Sequence, residues 1–264
     1  MNRAAPSANS LPVIRPDWPA PARVAALCTT RAGGVSESPW DSLNLGLHVG
    51  DEAAHVQENR RRLVAAAALP SPPVWLSQVH GERVVHIGDV LPASPPEADG
   101  AWTDVPGRVI GVMTADCLPV VITDAAGGRV AVAHAGWRGL AGGVLASALA
   151  SFPPDAALHV WLGPAIGPTA FEVGAEVREA FLARDGAHAS AFLPGKRPGK
   201  YVADLYALAR TALQRERDAT SLHVSGGEHC TLTEATRFHS HRRDGVHSGR
   251  MATLAWIRPT PIAG

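Results

Sequence analysis

Apolar positions fall into short runs rich in β-branched residues, with amphipathic stretches between them. RVAALCTT (23–30), RVIGVMT (108–114), LPVVIT (118–123), RVAVAHA (129–135), LHVWLG (158–163) and MATLAWI (251–257) read as strands, and VWLSQV, RVVHIG and LHVS as shorter ones. From Asp51, taken as the N-cap, DEAAHVQENRRRLVAAAAL places acidic residues first and arginines later, which predicts a helix. LAGGVLASALASF, VGAEVREAFLARDG and DLYALARTALQRER, the last with Asp204 at its start, predict three more. Strands and helices mix without a regular βαβ alternation, so the expected class is α+β with a mixed β-sheet core and packed helices.

The segments between these elements change the picture. TRAGGVSESPWDSLNLGLHVGD is too rich in Gly, Ser and Asn for a helix, and a loop of that length in a compact domain is functional or disordered as a rule. GPAIGPTA is a turn, PGKRPGK a basic loop, and residues 226–250 a polar run. The Ala/Pro/Ser/Asn-rich start predicts a loose segment over 1–22 and one domain over 23–264.

The chain has 264 residues, and its 24 basic and 24 acidic side chains balance, which excludes nucleic-acid binding by bulk charge. No run approaches the roughly 18 apolar residues of a membrane span, and the start lacks an apolar signal core, so a cytoplasmic protein without membrane contact is expected. Three cysteines far apart argue against a disulfide framework; they are thiols or metal ligands.

His80, Cys117 and His134 each stand where a strand candidate meets a turn, the position from which a sheet projects side chains into a cleft. Two imidazoles and a thiolate are sound zinc ligands, and three protein ligands leave a fourth position open for chemistry. The same atoms also fit a Cys117 nucleophile with His134 or His80 as its base, and the sequence by itself does not separate the two.

QVHG (78–81), ADGAWT (98–103), TADCLPV (114–120), HAGWRG (134–139), LGPAIGP (162–168), RFHSHRRD (237–244) and SGRMA (248–252) resemble the motifs of the YfiH-type laccase-domain family, as do TTRAGGVSESPWDSLNLGLHVGD and ENRRRL. The match runs in order from about Cys28 to Ile257. The resemblance implies a fold like that of cysteine hydrolases and a zinc ion held by His80, Cys117 and His134. It further implies phosphorolysis of adenosine, inosine or methylthioadenosine, together with adenosine deamination. Some members are described as peptidoglycan editing factors, which would make Cys117 and His134 an amidase pair for muropeptide precursors. Others carry an older label as copper polyphenol oxidases.

Multicopper chemistry needs around ten histidines in His-x-His pairs with soft ligands nearby. This chain has one such pair, His239 and His241, and three scattered methionines, so a copper oxidase is disfavoured, with copper kept as the alternative to zinc. His239 stands where the family pattern has an aromatic residue, and the GVHSG stretch is one residue longer than the pattern. The signature of the nucleobase zinc deaminases, H-x-E followed by P-C-x-x-C, is absent.

Phosphorolysis requires cations for phosphate and groups that stabilise an oxocarbenium-like ribose. Arg138 between two glycines is the first candidate; Arg31, Asn44, Arg242 with Arg243, and Arg250 are the others. Trp137 either packs or stacks a purine, Cys28 reads as core, and Cys230 as a cleft residue. A protein whose zinc only staples loops would need a fourth ligand, with His48, His229, His239 or another cysteine as candidates. The expected partners are a nucleoside and phosphate, and the expected assembly a monomer or homodimer.

Overall fold

The computed structural model describes residues 11–259. Its strands are β1 (Val13–Ile14), β2 (Val24–Thr29), β3 (Val84–His86), β4 (Gly100–Thr103), β5 (Ile110–Thr114), β6 (Leu118–Asp124) and β7 (Val130–Ala135). They continue with β8 (Leu158–Leu162), β9 (Glu172–Gly174), β10 (Phe192–Pro194), β11 (Lys200–Ala203), β12 (Leu222–Gly226) and β13 (Met251–Ile257). The α-helices are α1 (Ala53–Ala66), α2 (Trp137–Gly142), α3 (Val144–Leu149), α4 (Ala175–Leu182), α5 (Leu205–Glu216) and α6 (His241–Asp244).

A six-stranded sheet in the order β12-β8-β6-β7-β4-β3 is parallel at its two outer pairs and antiparallel in its middle, the mixed sheet of an α+β protein. A four-stranded antiparallel sheet, β1-β2-β13-β5, packs face to face against it. Strand periodicity explains the layers, since successive side chains alternate between faces. In β13, Met251, Ala255 and Ile257 meet Val121, Val130, Val132 and Trp161 of the larger sheet, while Ala252, Leu254 and Trp256 face Leu63 of α1. In β6, Leu118, Val120 and Ile122 meet α3 and α5. Both faces of the central strands are thus covered, which is why they read as continuous apolar runs; each fully buried Leu, Ile or Val contributes roughly 1.5–3 kcal/mol.

Several elements depart from the sequence expectations. Residues 140–152 do not form one helix: α2 and α3 meet at Gly143, whose φ of +114° ends the first. VWLSQV makes only isolated bridges at Val74 and Ser77. Asp51 does not cap α1; Glu52 holds that position, and the Asp51 carboxylate instead accepts from Ser36 Oγ (2.6 Å) and Asn44 Nδ2 (2.8 Å). Those bonds, with Asn59 Nδ2 donating to Ser36 Oγ and to the Asn44 carbonyl, fold the long 30–51 segment into an ordered loop. Of the N-terminal segment expected to be loose, residues 1–10 lie outside the described residues, while Val13 and Ile14 pair with Thr29 and Cys28. Asp204 does cap α5, accepting from the Tyr206 and Ala207 N–H groups at 2.9 and 3.0 Å.

Candidate active site

The turns that leave the six-stranded sheet assemble one cleft. Cys117 immediately precedes β6, His134 is the penultimate residue of β7, and His80 lies in the loop before β3. The antiparallel register sets Pro119 opposite His134, so the start of β6 and the end of β7 meet at the same sheet end. One metal-ligating atom from each of His80, Cys117 and His134 lies within 4.8 Å of the others. The rings of His80 and His134 stand edge to face, centroids 4.8 Å apart.

Asp99, fully buried just before β4, accepts four donors. The N–H of His80 (2.9 Å) and the Nδ1–H of His134 (2.8 Å) reach Oδ1, and the N–H groups of Val79 (3.2 Å) and Gly81 (2.7 Å) reach Oδ2. A carboxylate accepts only, so His134 carries its proton on Nδ1 and turns Nε2 to the cluster. Gly136 is the close neighbour: a Cβ there would sit 3.0 Å from Cys117 Sγ and 3.1 Å from the His80 ring.

Charge agrees with geometry. Burial pushes the Cys117 thiol up, but the imidazoles of His134 and His80 outweigh it and bring the thiol down to about 6. Burial lowers His134, and the Cys117 and Asp99 anions reverse this, raising it to about 9. A soft anionic donor and two oriented imidazoles, with one imidazole held by a carboxylate, suit zinc or a similar borderline metal. The structure of a thiolate beside an imidazole that is itself carboxylate-bound also matches a nucleophile, base and orienting group.

The cleft encloses about 900 Å³. Arg138, Arg242 and Arg250 line it, joined by Arg197 and Lys200 from the β10–β11 hairpin, which closes the predicted basic loop. Trp137, Phe171 and Ile166 supply apolar wall, and Arg138 stacks over the Trp137 ring at 4.5 Å. Arg242 donates to the Glu172 carbonyl at 2.9 Å, and Arg250 to those of Ser248 (2.7 Å) and Gly249 (3.2 Å).

Other expected site residues lie elsewhere. Arg31 donates to the carbonyls of Asp41 (2.9 Å) and Ala235 (3.1 Å) and pairs with the Asp41 carboxylate; it braces loops rather than the cleft. Asn44 is buried and accepts from the backbone of Gly46 (3.0 Å) and Arg250 (2.9 Å), so it holds the strand entry that carries Arg250 without lining the cleft. Arg243 donates to the Thr231, Leu232 and Phe238 carbonyls. Cys230 accepts from the Gly167 N–H at 3.2 Å, outside the cleft lining, and Cys28 is a core thiol pushed by burial to about 12. Among the described residues the metal-type cluster has three members: His48 lines the cleft without joining it, His229 pairs with Glu234, and His239 is buried against Gly249.

Residues 25–258 match the family described as multi-copper polyphenol oxidoreductase laccase. The chain belongs to this YfiH-type laccase-domain family. It is 51% identical to a purine nucleoside phosphorylase of Pseudomonas aeruginosa over 246 residues, 93% of this chain and 98% of the relative. The same identity and coverages hold for the purine nucleoside phosphorylase YfiH of Escherichia coli. Among solved structures, a Neisseria meningitidis protein superposes with a TM-score of 0.85 at 46% identity, covering 94% of this chain and 99% of that one. YlmD from Geobacillus stearothermophilus gives 0.80 at 33%, covering 90% and 93%. The family description speaks of several copper ions, yet the described residues of this member provide one three-donor cluster.

Sequence reasoning missed Arg197 and Lys200, which line the cleft, and Asp99, which is buried behind its histidines. Asp99 sits in the ADGAWT motif, but Asp before Gly is also an ordinary turn pair and carries no mark of a buried acceptor. The basic hairpin loop was legible as charge, while its orientation over a site formed 60 to 120 residues earlier was not.

Proposed function

We propose that the protein is a zinc-dependent purine nucleoside phosphorylase that also deaminates adenosine. The observation that carries this reading is the His80–Cys117–His134 donor set opening on a cleft walled by five cations and by aromatic and aliphatic side chains. The names of relatives 51% identical over nearly their whole length support the same assignment.

The zinc would be held by His80, Cys117 and His134, and the chemistry such an ion supplies is Lewis acidity at its open position. Arg138 and Arg250 would bind the phosphate oxygens by charge-assisted hydrogen bonds and hold the attacking oxygen toward C1′ of the ribose. The wall of Trp137, Phe171 and Ile166 would take the purine and exclude water from its face. Negative charge from phosphate beside the sugar stabilises an oxocarbenium-like ribose as the purine departs.

Adenosine should give adenine and ribose 1-phosphate only with phosphate present; equal adenine release without it would make the enzyme a hydrolase and remove this assignment. Purified protein should carry close to one zinc per chain, and Cys117→Ala should lose both zinc and activity. Inosine formation from adenosine should stop with a chelator.

A second reading rests on the order Cys117, His134, Asp99, which is that of a thiol nucleophile, its base and the base's orienting carboxylate. In that case chelator-treated protein would hydrolyse a short amide of a muropeptide precursor, and Cys117→Ala would abolish it without regard to zinc.

A further inference from the structure

We infer that Asp99 is the positioning residue that sets both histidines of the site with one carboxylate. The inference rests on reading His80, Cys117 and His134 as metal ligands. His80 has φ = +62°, a left-handed backbone uncommon in residues other than glycine. The turn is held by a nest of three successive N–H groups, from Val79, His80 and Gly81, closed on the two oxygens of Asp99. The oxygen that receives the His80 N–H also receives the His134 Nδ1–H, and the His134 backbone N–H donates to the Asp99 carbonyl at 2.6 Å. Main chain and side chain of Asp99 therefore place β7 and the 77–81 loop relative to each other.

The position admits no neutral substitute. An amide in place of the carboxylate presents an NH₂ group to one set of these donors in either orientation. Turned toward Val79 and Gly81, the NH₂ opposes two backbone N–H groups and releases the left-handed turn at His80. Turned toward His134, it faces Nδ1 and shifts the ring proton to Nε2, the atom that must be bare to ligate. Either way one histidine is lost to the metal. The exposed pair His86–Asp104, with Nε2 to Oδ1 at 3.0 Å, has the same chemistry away from the cleft and serves as control.

The experiment is a zinc competition titration with a chromophoric chelator on wild type, Asp99→Asn and Asp104→Asn, with circular dichroism confirming the fold. Asp99→Asn should bind zinc about 10- to 100-fold more weakly, the range for loss of such an outer partner, and Asp104→Asn within twofold of wild type. In parallel, ¹⁵N spectra of the zinc-loaded wild type should place the His134 proton on Nδ1. Should Asp99→Asn fail to fold, the wild-type spectrum decides. A folded Asp99→Asn with unaltered zinc affinity, or a His134 proton on Nε2, overturns the assignment while leaving the metal reading intact; a wild type that takes up no zinc ends both.

Discussion

The Asp116 carboxylate accepts the backbone N–H of Arg242 at 2.6 Å, joining residues 126 positions apart. It also accepts the hydroxyls of Thr231 (2.6 Å) and Ser240 (3.0 Å), and the Asp116 carbonyl accepts the Ile166 N–H at 2.9 Å. The turn that presents Cys117 is thereby the anchor for the segment that brings Arg242 to the cleft. Asp116 itself has φ = +88°, so the anchor is bound to a backbone shape that few residues adopt.

Asp116→Ala should therefore do two things. The hydroxyls of Thr231 and Ser240 can turn to other partners, but the Arg242 N–H cannot and loses its acceptor, so stability should fall by about 1–3 kcal/mol. The Arg242 wall should shift with it, and kcat/KM for phosphorolysis should drop by about tenfold or more, a change of about 1.4 kcal/mol in the barrier. Denaturant unfolding and steady-state kinetics check the pair of outcomes; lost stability with intact kinetics would show that Arg242 does not serve the reaction.

Gly136→Ala tests the close packing of the cluster. The Gly136 φ of −61° suits alanine, so backbone strain is absent, and the nearest atoms to the added methyl are Cys117 Sγ and those of the His80 and His134 rings. The fold should survive with a melting temperature near that of wild type, while zinc affinity falls. A variant that binds zinc as wild type does would mean the cluster has room to spare.

His239 supplies a pH prediction. It is fully buried with neither ring nitrogen hydrogen-bonded, and burial, helped by the Arg31 charge, holds it down to about 3. Between about 3 and the unfolded value near 6.5, the unfolded chain binds a proton that the folded one refuses. Stability from this group is thus present above about 6.5 and drains away as pH falls, at up to about 1.4 kcal/mol per pH unit. His239→Phe, which keeps a ring but removes the titratable nitrogens, should flatten that slope. Urea midpoints at pH 7 and pH 5 measure it, and an unchanged acid slope in the variant would locate the sensitivity elsewhere.

The arginines can be sorted by kinetics. Arg138→Ala and Arg250→Ala should each raise the phosphate KM by much more than the nucleoside KM. Arg31→Ala, which frees the Asp41 and Ala235 carbonyls, should lower stability and leave both KM values near wild type. Equal effects of Arg138→Ala on the two substrates would take it out of the phosphate role.

Local chemistry was enough for much of this protein. The β-branched runs that became β2, β5, β6, β7, β8 and β13 are legible because a strand buried on both faces must be apolar throughout. Cys117 and His134 stood out because side chains at strand ends are the ones a sheet can aim into a cleft; His80 joins them from a loop rather than from the end of the expected strand. Longer-range relationships had no such signature. Asp51 has the residue type of an N-cap, and only the folded loop reveals that Ser36 and Asn44 claim its carboxylate first. Arg31 and Arg138 look alike as cations, and the difference between a loop brace and a cleft wall lies in which carbonyls and rings surround them. Asp99 and Asp116 are short acidic residues beside turns, and their roles arise because tertiary packing brings donors from distant segments onto one buried carboxylate. Patterning along a chain records which residues prefer burial or a turn; which donor meets which acceptor is decided when the sheets pack, because every buried polar group must then find its partner in three dimensions.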